Sequence, residues 1–145
     1  MKTKNKFLLI MLFLLILIGV VYFSNPFLNS SNKNLENELA ELSLNAGELV
    51  NSYSNNEDKS NYLYTGKILE VTGTIKEITF LNDRITIILN SNFETFGVIC
   101  DINPNQKRKI DQLKEHQKIK VKGICKGFLK DVILLNCTID LPTNE

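Results

Sequence analysis

Residues 67–78 read KILEVTGTIKEI, and their period decides the fold. Leu69, Val71, Gly73 and Ile75 fall on one face, and Glu70, Thr72, Thr74 and Lys76 on the other. Alternation of that kind marks a strand with one buried side. Gly73 in the middle of so long a strand suits a bend that lets it serve both halves of a barrel. Four more alternating runs follow. Residues 84–90 put Ile85, Ile87 and Leu89 inward, and 95–102 put Phe96, Val98, Cys100 and Ile102 inward. Residues 118–126 do the same with Ile119, Val121, Gly123 and Cys125, and 132–140 with Ile133, Leu135, Cys137 and Ile139. After Pro104, residues 107–115 (KRKIDQLKE) favour a short helix with Ile110 and Leu113 on one side. Five strands with one helix between the third and fourth predict a mainly β fold, a five-stranded OB-fold barrel over residues 66–141.

Upstream the period changes. Leu35, Leu39, Leu42, Ala46, Leu49, Val50 and Tyr53 stand at three- and four-residue steps, which predicts an amphipathic helix over 35–53. Ser43 and Asn45 can split it into two shorter helices. Ser43 and Glu48 are five apart, so they make no capping box. Residues 54–58 (SNNED) form a turn, and 58–65 one more helical turn with Tyr62 and Tyr64 toward the core. The whole segment 35–65 is expected to pack on the barrel. Residues 24–34 (SNPFLNSSNKN) have linker composition, and 142–145 are a short tail.

Residues 7–23 (FLLIMLFLLILIGVVYF) carry no charge. Such a stretch spans about 26 Å as a helix, against a hydrocarbon core of ~30 Å. Lys2, Lys4 and Lys6 precede it, and no basic residue follows until Lys33. The positive-inside rule then puts the N-terminus in the cytoplasm and the rest outside. The expectation is a single-pass anchor in the cytoplasmic (inner) membrane with an extracytoplasmic C-terminal domain. A cleaved signal peptide is the rival; Tyr22-Phe23-Ser24-Asn25-Pro26 offers a poor cleavage site. No Cys lies nearby to be lipidated.

The chain has 145 residues, so setting aside the apolar segment leaves room for one ordinary domain and excludes large multi-domain enzymes. Net charge is +1, which makes no case for a polyanion binder by composition. The distribution is uneven: residues 24–66 carry six acids against two Lys.

The opening Tyr64-Thr-Gly66-Lys67…Val71-Thr-Gly73 resembles the Y-x-G-K-x-x-x-V-x-G start of the tRNA_anti-like family of bacterial OB-fold domains. The run Gly123-Ile-Cys125-Lys-Gly127…Asp131-Val-Ile-Leu-Leu135-Asn-Cys137 is similar to that family's closing hairpin, and Glu48-Leu49 with Tyr53 to its preceding helix. The resemblance covers about residues 44–140. It implies the fold and is nearly silent on activity, since fold analogy does not transfer function. The layout also resembles the membrane-anchored haem chaperones of cytochrome c maturation. Their haem-holding His has no counterpart in the tail Ile139-Asp-Leu-Pro-Thr-Asn-Glu145.

Residues 107–126 hold eight basic residues against Asp111 and Glu115, a possible polyanion footprint. OB folds commonly stack bases on aromatics of strands two and three. Here the outward positions are Arg84, Thr86, Ile88, Thr95, Gly97, Ile99 and Asp101, and none is aromatic. The sequence therefore argues against nucleic acid and for a solvated Lys face on strand four. Cys125 and Cys137 stand on the two strands of one hairpin and are candidates for a disulfide, leaving Cys100 a buried thiol; the plain alternative is three buried small hydrophobes. There is one His, His116, and no C-x-x-C, so no metal site or cofactor is expected. No nucleophile–base set is spaced for catalysis, so no enzyme is expected.

The reading is a membrane-anchored, non-enzymatic OB-fold binding module. Its expected face is strands two and three with the loops Phe80–Asp83 and Gly127–Lys130. The candidate ligand-binding residues are Phe80, Arg84, Thr86, Ile99, Phe128 and Lys130, for an unknown protein or small ligand. The alternatives are a subunit of an envelope complex, joined through the acidic helix at 35–53, and a single-stranded nucleic-acid binder.

Overall fold

The structure is a computed structural model that describes residues 6, 11–19, 34–91, 93 and 95–140. Residues 1–33 and 34–145 form separate units. In the first, residues 11–19 are helical, and the apolar side chains from Met11 to Ile18 are exposed. Among the described residues no helix is long and apolar enough to cross a membrane. The rest of the expected anchor, residues 7–10 and 20–23, lies outside the described residues, as do linker residues 24–33 and the tail.

The second unit runs β1 (Leu42–Asn45), α1 (Ala46–Asn55), α2 (Glu57–Tyr64), β2 (Ile68–Leu81), β3 (Arg84–Asn90) and β4 (Gly97–Ile102). A 3-10 turn (Pro104–Gln106), α3 (Lys107–Ile110), β5 (Lys118–Leu129) and β6 (Asp131–Asp140) complete it. The sheet runs β1-β2-β3-β4-β6-β5, and β5 pairs back onto β2. Five strands therefore close into a ring in the OB order, with β4 and β6 parallel. The long first barrel strand behaves as its sequence predicts. β2 pairs with β5 from Ile68 to Thr74 and with β3 from Thr74 to Leu81. The handover falls one residue after Gly73, and a bulge follows between Ile75 and Glu77.

The barrel is filled by Leu69, Val71, Ile75, Ile87, Leu89, Val98, Val121 and Leu134, all fully buried. α1 contributes Ala46, Leu49, Val50 and Tyr53 to the same core. Burying a Leu or Val side chain contributes roughly 1.5–3 kcal/mol, so this face of α1 holds the helix on the barrel. The approach is close. A Cβ on Gly73 would lie 3.0 Å from the Ala46 Cβ and 3.1 Å from the Leu89 Cβ. Between α2 and β2, Gly66 takes φ +84°, a left-handed turn that costs glycine little. Its amide donates to the Cys125 carbonyl at 2.8 Å, and the Cys125 amide to the Lys67 carbonyl at 3.0 Å. The Tyr64–Lys67 motif thus ties the helices to β5.

Four expectations need correction. The single helix over 35–53 does not form. Leu42–Asn45 is instead a strand parallel to β2, with Leu42 opposite Leu69 and Asn45 opposite Thr72. That stretch of β2 lies beyond the reach of β3, which stops at Asn90 opposite Thr74, and β1 occupies the edge. Leu39 is exposed, whereas Leu35 is fully buried. The helix begins only at Ala46, where the Asn45 side chain accepts from the Glu48 amide at 2.7 Å. Second, Tyr64 faces the core but Tyr62 is exposed. Third, only Lys107–Ile110 of the predicted 107–115 helix is α-helical, though Ile110 and Leu113 are both buried. Fourth, the phase of β6 differs at its start. Val132 and Leu134 are buried, while Ile133 and Leu135 are half-buried on the outer side. Asn136 at φ 55° and the accompanying register shifts bring Cys137 and Ile139 back inside.

Candidate ligand face

The candidate residues fall in three places. Arg84, Thr86 and Ile99 share the outer face of β3 and β4. The Arg84 guanidinium donates to the Asp101 carboxylate at 3.1 Å, and Thr86 stands opposite Asp101. Ile99 stands opposite Ile88 on one side and Ile133 on the other. Three isoleucines thus form a row across β3, β4 and β6, each half-buried. Glu77 of β2 bounds one end of the row and Gly127 of β5 the other. Ile133 was missed by the sequence reading, because the parallel β4–β6 pairing and the bulge at Asn136 leave no local signal.

Phe80 is elsewhere. It is exposed and stands opposite Ile85, on the inward phase of the sheet, at the mouth of the barrel. There it lines an open cleft of about 420 Å³ with Asp83, Arg84, Ile85, Pro104 and Lys107. Asn82 and Asp83 form the tight hairpin turn beside it, at φ 47° and 63°. Phe128 is turned to the protein. Its ring stacks on Tyr53 at 5.6 Å between centroids and meets the edge of Phe96 at 5.7 Å. Lys130 is exposed in the β5–β6 turn at φ 71°. Gly127, Phe128 and Leu129 are thus the end of β5 rather than the expected loop; Phe128 joins an aromatic cluster that supports α1, and Lys130 is the exposed tip of the turn.

Two lysines of the cluster, Lys109 and Lys122, are engaged by residues 36–38 of the chain's own acidic segment. The Lys109 ammonium donates to the Glu36 carboxylate at 2.7 Å and to the Ile139 carbonyl at 3.2 Å. Lys122 donates to the carbonyls of Glu38 at 2.7 Å and Glu36 at 3.3 Å. Lys120 pairs with Glu70 at 3.2 Å. The hydrogen bond and charge of Lys109 hold the Glu36 carboxyl below its ordinary value. The expected solvated Lys face is in part the seat of residues 36–38, a strap that α1 and β1 follow. The apolar side of the helix is spent on the core, where Ala46, Leu49, Val50 and Tyr53 are buried, and Glu48 on its acidic side is exposed.

All three cysteines are free thiols and fully buried. The expected Cys125–Cys137 pairing does not fit the register. Cys125 stands opposite Leu134, and its sulfur lies 3.4 Å from the Tyr53 hydroxyl. Burial, and then this thiol, push the Tyr53 hydroxyl well above its ordinary value. The Cys137 sulfur sits in the space left by Gly123, 2.5 Å from where a Cβ would be. Among the described residues no group of His, Cys, Asp or Glu could hold a metal ion.

The ring order and the helical plug define an OB-fold domain. The tRNA_anti-like family model matches residues 1–139, and the chain belongs to that family. A lipoprotein from Klebsiella pneumoniae, provisionally named as nucleic acid-binding, has a similar fold, with a TM-score of 0.57 and 13% identity over 68% of this chain and 91% of that one. An OBody bound to hen egg-white lysozyme matches with a TM-score of 0.47 and 11% identity, over 57% of this chain and 85% of that one. No curated protein matches the chain.

Proposed function

We propose that this chain is a non-enzymatic OB-fold binding module, anchored by residues 7–23 on the outer side of the cytoplasmic membrane, that takes a protein partner on the outer face of β3, β4 and β6. The row Ile88–Ile99–Ile133 carries the reading. Its side chains are half-buried, cross-strand neighbours, and flanked by the Arg84–Asp101 pair. Contiguous apolar surface with a polar edge favours a partner with apolar side chains of its own. The anchor is supported by the uncharged run, the three preceding lysines and a family match that begins at residue 1. Pull-down with the anchored wild-type chain and with Ile99→Glu tests the face: a partner retained by the wild type should be lost by the variant. Equal retention would remove the face from the proposal. A C-terminal reporter that works only outside the cytoplasm should be active, and activity of a cytoplasm-only reporter would reverse the orientation.

A single-stranded nucleic-acid ligand is the second reading. The name of the Klebsiella lipoprotein favours it, and so does the exposed cation Lys107 in the lining of the Phe80 cleft. An electrophoretic shift whose midpoint weakens steeply with salt would support it. The absence of a shift at low salt would dismiss it.

A further inference from the structure

We propose that the Ile88–Ile99–Ile133 row takes one amphipathic α-helix laid across the strands, its N-terminal end at Glu77 and its C-terminal end at Lys126. The inference rests on the reading of this face as a partner site and specifies the partner. The row runs across the strands: Ile88 stands opposite Ile99, and Ile99 opposite Ile133. Adjacent strands lie ~4.8 Å apart, so the outer two isoleucines are about 10 Å apart. Apolar residues at i, i+4 and i+7 of a helix span about 10.5 Å. Three alternate residues of a crossing strand would span about 13–14 Å. The stripe is one residue wide. The next row on one side is Thr79, Thr86 and Asp101, and on the other Asn90 and Gly97. One apolar helix stripe with polar flanks matches that width.

The backbone excludes an added strand. β3 pairs with β2 and β4, β4 with β3 and β6, and β6 with β4 and β5, so this face has no open edge. An extended segment lying on it would leave its own amides and carbonyls without ladder partners, whereas a helix bonds them internally. Charge sets the direction. The exposed Glu77 stands opposite Ile88 at one end of the row. At the other end Gly127 stands opposite Ile133, and the exposed Lys126 occupies the bulge just before it. A helix carries partial positive charge at its N-terminus and partial negative charge at its C-terminus, so these two side chains favour one orientation. From Glu77 to Gly127 is four strand spacings, about 19 Å, the length of roughly 13 helical residues. A second copy of the chain cannot supply α1, whose apolar side is buried in its own core.

Two displayed peptide libraries are selected on the full chain in detergent, one of single helices with about 13 randomised residues and one of β-hairpins. Binders should come from the helical library, with apolar residues at i, i+4 and i+7. Their affinity should fall about tenfold or more on Ile99→Glu and on Ile133→Glu, as loss of a central contact does. Ile99→Thr, a milder change at the same site, should weaken them in the same direction. Exchanging the end charges (Glu77→Lys with Lys126→Glu) should weaken them severalfold, and more so at low salt. Hairpin binders lost on Ile99→Glu, with no such helical binder, would overturn the helix and leave the face. The absence of any binder that depends on Ile99 would overturn the face as well. Affinity unchanged by the charge exchange would overturn the orientation.

Discussion

Gly73 and Ala46 meet so closely that a Cβ on residue 73 would stand 3.0 Å from the Ala46 Cβ. The helical plug therefore seats on the long barrel strand only because that strand lacks a side chain there. Gly73→Val should overpack the contact and destabilise the fold by roughly 1–3 kcal/mol. Thr74→Val, one residue along and facing outward, should cost much less. Denaturant melts of the two variants make the comparison on one strand, so strand propensity alone cannot produce the difference. Gly73→Ala combined with Ala46→Gly should recover part of the loss from Gly73→Ala. Equal melts for Gly73→Val and Thr74→Val would contradict the packing described.

Gly123 plays the corresponding part for β6. A Cβ there would meet the Cys137 sulfur at 2.5 Å and the Leu134 Cβ at 3.1 Å. Neither neighbour can swing out to solvent, since both are fully buried. Gly123→Ala should cost about 1–3 kcal/mol under reducing conditions, as other overpacked core sites do. Cys137→Ala alone should cost less, and in the double variant it should restore most of what Gly123→Ala loses. A double variant no more stable than Gly123→Ala would show that the sulfur is not the obstacle.

The barrel strands were legible because one face of each is buried and the period of two survives in the side chains. Ile85, Ile87 and Leu89 needed nothing beyond their own run to be placed. Leu42–Asn45 was not legible, because its leucine spacing also fits a helix. What decides it is the unfilled edge of β2, which belongs to another part of the chain. The outer face was legible through Arg84, Thr86, Ile88 and Ile99. Its extension to Ile133 required the β4–β6 register and the left-handed backbone at Asn136. Phe128 belongs to β5 and not to the loop expected at 127–130, and its stacking on Tyr53 depends on two distant segments meeting. Cysteine pairing was not legible either: Cys125 stands opposite Leu134, three residues from Cys137, and the hairpin's register is not written in either strand alone.

Asn45 is the switch between strand and helix. Its side-chain oxygen accepts from the Glu48 amide at 2.7 Å, and its side-chain amide donates to the Glu48 carboxylate at 3.4 Å. An orphan amide at the start of α1 is thereby satisfied at the residue that ends β1. Asn45→Ala should cost about 1 kcal/mol, as loss of an N-cap typically does. Asn45→Asp keeps the acceptor and should cost less, though it places a second carboxylate beside Glu48. Melting temperatures of the two variants check the order. Alanine and aspartate of equal stability would mean that the cap contributes nothing.

The strap at residues 36–38 should respond to pH through Glu36. Lys109 holds this carboxyl below its ordinary value by a hydrogen bond and by charge. A depressed carboxyl pKa contributes stability that is present above the unfolded-state value and is lost as pH falls through the folded-state value. Backbone amides of residues 34–41 should therefore lose protection from hydrogen exchange as the pH is lowered beneath the ordinary glutamate range of ~4.3. The pair is half-exposed, so added salt should weaken the same protection. Glu36→Gln should remove most of the pH response. It should spare the part of the protection due to Lys122, which donates to the Glu36 and Glu38 carbonyls rather than to a carboxylate. Lys122→Met should do the reverse, lowering protection at neutral pH while keeping the acid response. Identical exchange profiles for wild type and Glu36→Gln across that range would show that the ion pair does not hold the strap.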